Sequence, residues 1–236
     1  MAASIAAHVR ALREGDDASK TAAAVALCSL TWSPYIPENR VAIAQAGGIE
    51  PLVQLLHDGS AMAKVRAVRA LGSLAWNDAN KVLIAEAGGV PPLVELLRDG
   101  GPHGKQEAAA ALRILSRNNA NKALITEAGG IPLLVQFLRD GNLGAKPEAT
   151  CALYNLARNN DANAVAVAVA VGFDALVQLA RLARHGRVNF KGCTLVSNAG
   201  LPAKRKAALV VAQLIEATAP RTRVSRYIKA AIGSYL

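Results

Sequence analysis

Lys20, Lys64, Lys105, Lys146 and Lys204 stand 44, 41, 41 and 58 residues apart, each where a helical pattern opens. The backbone dipole disfavours a cation at that end of a helix, so the recurrence needs a reason. One reason is solvation, with the charged tip in water and the stem laid over a neighbouring element. The other is a ladder of cations able to engage acidic side chains of an extended partner. Trp32, Trp76, Arg117 and Arg158 form a second series, near the carboxyl ends of the same helical segments. Tryptophan and arginine dominate binding energy at interfaces. Packing of the rings and favourable charge at helix ends would also place them there without a ligand. With Arg66 and Arg69 they predict a mildly basic face with an aromatic end, and for it an acidic-aliphatic peptide ligand.

Catalytic chemistry is not written in the chain. Acid, base and nucleophile must converge on one reacting atom, whereas His8, His57, His103 and His185 are scattered, with His57 and His103 falling between helical segments. HExxH, GxSxG and the phosphate-cradling GxxxxGKS/T are all missing from the sequence. Cys28, Cys151 and Cys193 are odd in number and have no metal-ligand cluster around them, so they are read as reduced core thiols. The expectation is a binding protein with no enzymatic activity, cofactor or metal.

What positions those side chains is a repeated phrase. AQAGGIEPLVQLLHDG at 44–59 returns as AEAGGVPPLVELLRDG at 85–100 and TEAGGIPLLVQFLRDG at 126–141. The pairs Gly47-Gly48, Gly88-Gly89 and Gly129-Gly130 lie 41 residues apart, and Val171-Gly172 follows after another 42. Asn39, Asn80, Asn121 and Asn163 recur upstream of them, and Leu52-Val53, Leu93-Val94, Leu134-Val135 and Leu176-Val177 downstream. Ile5, Val9, Leu12 and Gly15 precede Ile49, Val53, Leu56 and Gly59 by 44 residues, so the amino terminus shares the pattern. A period of this length is the mark of a stacked repeat architecture.

Within one period, punctuation predicts three helices. The first begins near Asn80, whose side chain suits a helix cap, and stops at Gly88-Gly89, where glycine supplies a left-handed end. Pro91-Pro92 opens the second, proline being tolerated in a first turn. Asp99-Gly100-Gly101 breaks it, and the third runs from about Lys105 to Arg117, with Ala108, Ala111, Leu112 and Leu115 on one face. Three short helices cannot bury their apolar stripes alone, so each unit must stack on the next. The stretch AVAVAVAV at 164–171 alternates like a strand, yet its register with NKVLIAEAGG predicts a helix. The chain is therefore expected to be all-α: a right-handed α-solenoid with units at about 4–38, 39–79, 80–120, 121–162 and 163–219. The last unit carries a loop insertion near 187–201, and a capping helix follows at 220–236.

Composition agrees with helices packed through small side chains, since 52% of the 236 residues are hydrophobic and only 4% aromatic. The longest uncharged apolar stretch, 162–173, is shorter than the roughly 20 residues a membrane span needs. No signal peptide is recognisable at the amino end, where His8 and Arg10 interrupt the apolar run. A monomer of the cytoplasm or nucleus is expected. The net charge of +10 sits entirely in residues 175–236. There Lys204-Arg205-Lys206 is read as surface rather than as a nuclear-localisation cluster. Arg221, Arg223, Arg226 and Lys229 lie opposite the apolar stripe of the capping helix. They offer an alternative role, weak non-specific attraction to anionic membrane or nucleic acid. Scarce aromatics beside them argue against reading of nucleic-acid sequence.

The period near 41, the AGGI or AGGV turn, PLVELL or PLLVQFL after it, and AAAALRIL or ATCALYNLA in the third helix together resemble the armadillo repeat. The resemblance covers about residues 4–217, as roughly five units. NDANKVLIAEAGG and NNANKALITEAGG are similar to the arrays of plant U-box proteins and vacuolar armadillo scaffolds. HEAT repeats have a similar length, but the glycine pair between first and second helices favours armadillo. The resemblance implies a groove lined by third helices in which a segment of a partner protein lies. Importin-type members grip basic peptides with a Trp and, four residues later, an Asn in each third helix. Here the first position holds Val25, Arg69, Ala110, Cys151 and Leu209, and the second holds Ser29, Ser73, Ile114, Asn155 and Gln213. Asn155 alone matches, so binding of nuclear-import signals is not implied. No U-box sequence stands before the repeats, and ligase activity is not implied either.

Overall fold

The structure, a computed structural model, describes residues 2–31, 37–140 and 146–158, together with 160, 162, 163, 166, 167 and 170. The chain divides into two compact units, Met1–Leu133 and Leu134–Leu236. Every regular element among the described residues is a helix.

In the first unit α1 (Ala2–Glu14) and α2 (Asp17–Thr31) precede two complete triplets. These are α3 (Glu38–Gln45), α4 (Ile49–Asp58) and α5 (Ala61–Leu74), then α6 (Asp78–Glu86), α7 (Val90–Asp99) and α8 (Pro102–Leu115). A third triplet opens with α9 (Asn119–Glu127) and continues into α10 (Gly130–Asp140), and α11 (Lys146–Ala157) lies in the second unit. Of the stretch 164–171 the structure describes residues 166, 167 and 170, and all three are helical.

The glycine pair has two different physical reasons. Gly88 adopts φ +76°, as Gly47 does at +72° and Gly129 at +79°, a backbone region L-residues disfavour. Gly89 matters for space instead. A Cβ there would stand 2.9 Å from Ile84 Cγ2 and 3.3 Å from Val53 Cγ2 of the preceding repeat. At Gly48 the equivalent distances, to Ile43 and Val9, are again 2.9 and 3.3 Å. Val9 and Val53 thus do the same work, and α1 takes the place of a second helix, as the 44-residue offset predicts.

Second helices supply the centre of the core: Leu52 and Leu93 are fully buried, with Leu56, Val94 and Leu97 nearly so. Third helices pack on them through Ala67, Leu71, Ala108 and Leu112, and on one another in the order α2, α5, α8. Alanine at the contacts lets these backbones approach closely.

The asparagine expectation is corrected in its mechanism. The caps are Asn77 and Asn118, whose side chains accept from the backbone N–H of Asn80 and Asn121. Asn80 is itself buried, and its Nδ2 donates to Leu74 O at 3.1 Å and to Arg40 O at 2.9 Å, forty residues away. Asn121 donates to Lys81 O at 3.0 Å, and Asn39 to Leu30 O at 2.8 Å. A cap needs only the first turn. This position instead donates to carbonyls at the ends of third helices, those of Leu30 and Leu74, and through Asn80 and Asn121 stitches first helices of successive repeats together.

In the second unit Asn160 caps onto Asn163 N, and Asn163 Nδ2 donates to Leu156 O at 3.2 Å. Its described core includes Leu134, Leu138, Ala152 and Leu156. The cysteine reading holds for Cys28, a free thiol, and fails for Cys151, which is buried and disulfide-bonded. Expectations for the insertion near 187–201 and for the capping helix 220–236 lie outside the described residues.

Candidate functional site

Third helices present the residues singled out from the sequence, but not all on one face. At about 100° per residue, Met62, Arg66, Arg69 and Ser73 share a face of α5, and Trp76 follows just past its end. On α8 the corresponding face holds His103, Glu107, Ala110 and, toward the end, Arg113, with Arg117 just past it. On α2 it holds Ala22, Val25 and Ser29. Contacts across the helices confirm the register. Cys28 Sγ lies 3.8 Å from Ser73 Oγ, and Arg69 Nε pairs with Glu107 Oε1 at 3.5 Å.

Trp76 is the centre of this face. Its ring is 47% exposed, and the guanidinium carbons of Arg113 and Arg117 each lie 5.9 Å from its centroid. That is within cation–π range. Arg113 was not foreseen; its signal in the sequence was an arginine one turn before Arg117, in the repeat next to a tryptophan. Four arginines therefore stand on the α5–α8 part of the face; Glu107 pairs with Arg69, and the exposed Asp78 of α6, held below its ordinary value first by Lys81, also feels the charge of Arg117. Burial pushes the Cys28 thiol up from its ordinary value, opposed by the hydrogen bond from Ser73 and the nearby charge of Arg69.

The lysines occupy a different place. Lys20, Lys64 and Lys105 are fourth residues of their helices, and their backbone N–H groups make the first intrahelical bonds, to Asp16, Ser60 and Gly101 carbonyls at 2.9 Å. One turn inside, they escape the worst of the dipole. About 200° around α5 from Met62, Lys64 points away from the Arg66–Trp76 face. Lys20 lines a cleft of about 490 Å³ with Leu12, Arg13, Asp17, Glu50, Gln54 and Asp58, against α1 and α4. Asp58 is held below its ordinary value by hydrogen bonds from His57 and Gln54 and by the charges of His57 and Lys64. The lysines thus mark the edge where second and third helices meet, and the structure separates them from the arginine–tryptophan face.

In the second unit Lys146 Nζ donates to Arg139 O at 3.2 Å, Asn155 is buried, and Arg158 is exposed just beyond α11. Trp32, Lys204, Arg221, Arg223, Arg226 and Lys229 lie outside the described residues. Among the described residues no helix is long and apolar enough to cross a membrane, and no group of three or more His, Cys, Asp or Glu could hold a metal.

No curated protein sequence matches the chain at a significant level. Solved structures do. A crystal structure of an engineered protein superposes with TM-score 0.74 at 27% identity, covering 98% of this chain and 85% of that one. A computationally designed armadillo repeat protein for modular peptide recognition gives 0.73 at 24%, covering 98% and 87%. A designed armadillo repeat protein in complex with the peptide (KR)4 gives 0.73 at 24%, covering 98% and 88%. The all-helical fold is therefore that of armadillo-repeat solenoids. The family model for the armadillo/β-catenin-like repeat matches residues 36–76, 77–117 and 118–158. Those three consecutive matches span just over half of the 236 residues, and the chain belongs to the armadillo/β-catenin-like repeat family.

Proposed function

We propose that this armadillo chain is a non-enzymatic protein-binding scaffold of the cytoplasm or nucleus, and that the third-helix face of α5 and α8 binds an acidic-aliphatic segment of a partner. The observation that carries this reading is the Trp76 ring flanked by Arg113 and Arg117, with Arg66 and Arg69 on the same face. An aromatic ring that already faces two guanidinium groups is a poor acceptor for a partner's lysine. The same guanidinium groups favour carboxylates. Exposed Met62 and Val25 supply apolar contact beside the charges. The designed relative holds a (KR)4 peptide; the arginines here select the opposite charge.

Fluorescence anisotropy with a labelled Glu/Leu-rich peptide tests this. Arg66→Glu/Arg117→Glu should weaken binding by at least about tenfold, or about 1.4 kcal/mol. Lys64→Glu/Lys105→Glu, at the helix edge, should change it far less. Equal affinity in the wild type and the arginine variant would refute the assignment.

A further inference from the structure

The first helices carry a surface that the third-helix face does not explain. α3, α6 and α9 pack side by side. Their inner faces are anchored by Ile43, Ile84 and Ile125, all fully buried. Their outer faces expose Val41, Val82, Leu83 and Leu124 by 37–42%. Four of the seven large apolar side chains exposed among the described residues stand here, although nothing in the stacking of repeats requires them. Outward positions on the second helices hold Gln54, His57, Glu95 and Arg98 instead.

Charge on this ridge is one-sided. Glu38, Asp78, Glu86 and Glu127 are exposed, whereas every cation of the three helices is drawn inward. Lys81 and Lys122 are each 3% exposed, Lys81 pairs with Asp78, and Arg40 Nη2 donates to Thr31 O at 3.1 Å. The outer surface of α3, α6 and α9 is thus aliphatic and acidic, with no exposed Lys or Arg on those helices.

Val41 and Val82 are 41 residues apart, and so are Leu83 and Leu124, so the apolar groups recur one rung per repeat. Neighbouring helices lie roughly 8–10 Å apart, close to the ~10.8 Å of two helical turns. A helix laid across the rungs would meet them with residues seven apart. We propose that this ridge docks a basic amphipathic helix of a partner protein, with aliphatic residues at seven-residue spacing seated on Val41, Val82, Leu83 and Leu124 and flanking Lys or Arg facing Glu38, Glu86 and Glu127. The site is independent of the third-helix face.

The probe is a fluorescent helical peptide with Leu every seventh residue and Lys beside it, titrated into the full chain. Saturable binding is expected, weakened at least about tenfold in Leu83→Ser/Leu124→Ser and in Glu86→Lys/Glu127→Lys, with thermal melts unchanged. Arg66→Glu/Arg117→Glu should leave it unaffected, so the two sites fail or stand separately. Absence of saturable binding, indifference to both ridge variants, or equal binding of the peptide with Glu in place of Lys would overturn the proposal. Self-association of the wild type that Leu83→Ser/Leu124→Ser abolishes would assign the ridge to a second copy of the chain and overturn it too.

Discussion

Arg113 near the end of α8 and Arg117 just past it each hold a guanidinium carbon 5.9 Å from the centroid of the Trp76 ring, itself just past the end of α5. The contact joins adjacent repeats through side chains exposed enough to meet a ligand. A cation–π contact at such a site contributes about 0.5–1 kcal/mol. Arg117→Gln should therefore lower unfolding free energy by about that amount, read from urea denaturation. In a Trp32→Phe background it should also alter Trp76 emission. An unchanged emission spectrum would mean that the ring and Arg117 are not in contact in solution.

The asparagine stitch predicts a larger effect than the cap beside it. Asn80→Ala removes two hydrogen bonds from a buried position, those to the carbonyls of Leu74 and Arg40. At about 1 kcal/mol for each bond, the loss is about 2 kcal/mol. Asn77→Ala removes a cap worth about 1 kcal/mol. Chemical denaturation of the two variants should rank them in that order; the reverse order would restore the capping role to Asn80.

The glycine pair can be separated by substitution. Gly88→Ala meets nothing within 4 Å, so its cost is conformational, about 1–2 kcal/mol for an L-residue in the left-handed region. Gly88→Asn should cost less. Gly89→Ala instead drives a methyl to 2.9 Å from both Cγ2 and the carbonyl oxygen of Ile84 and to 3.3 Å from Val53 Cγ2, so it should cost more than Gly88→Ala, and asparagine, which eases the cost at Gly88, should not ease it at Gly89. Thermal melts of the alanine and asparagine variants at each position measure both.

These particulars show how far the residues speak for themselves. Punctuation by Gly47-Gly48 and Gly88-Gly89, and the 41-residue period, announce three helices per unit because turn chemistry is local. The match of Val9 with Val53 was legible for the same reason. What Asn80 does was not, because its acceptor lies forty residues away, and a residue suited to capping looks the same whether it caps or bridges. The lysine and arginine series were also inseparable along the chain. Only the 100° step of a real helix puts Lys64 and Arg66 on different sides. Arg113 escaped notice because its partner ring belongs to another repeat.

Cys28 gives a pH-dependent readout. Its thiol is raised by burial, so thiolate forms only above the ordinary value of 9.0. Maleimide labelling followed by peptide mass mapping should show a rate midpoint above that of a free thiol. Ser73→Ala, which removes the hydrogen bond that opposes burial, should move the midpoint higher still. A midpoint at or below the ordinary value would contradict the packing of α2 against α5.

The most direct test of the proposed function is charge preference at the third-helix face. Two peptides identical except for Glu or Lys at alternate positions, titrated into the wild-type chain at low and physiological salt, measure it. The arginine–tryptophan face predicts tighter binding of the Glu peptide, with an advantage that shrinks as salt screens it. Tighter binding of the Lys peptide, insensitive to Arg66→Glu/Arg117→Glu, would contradict it.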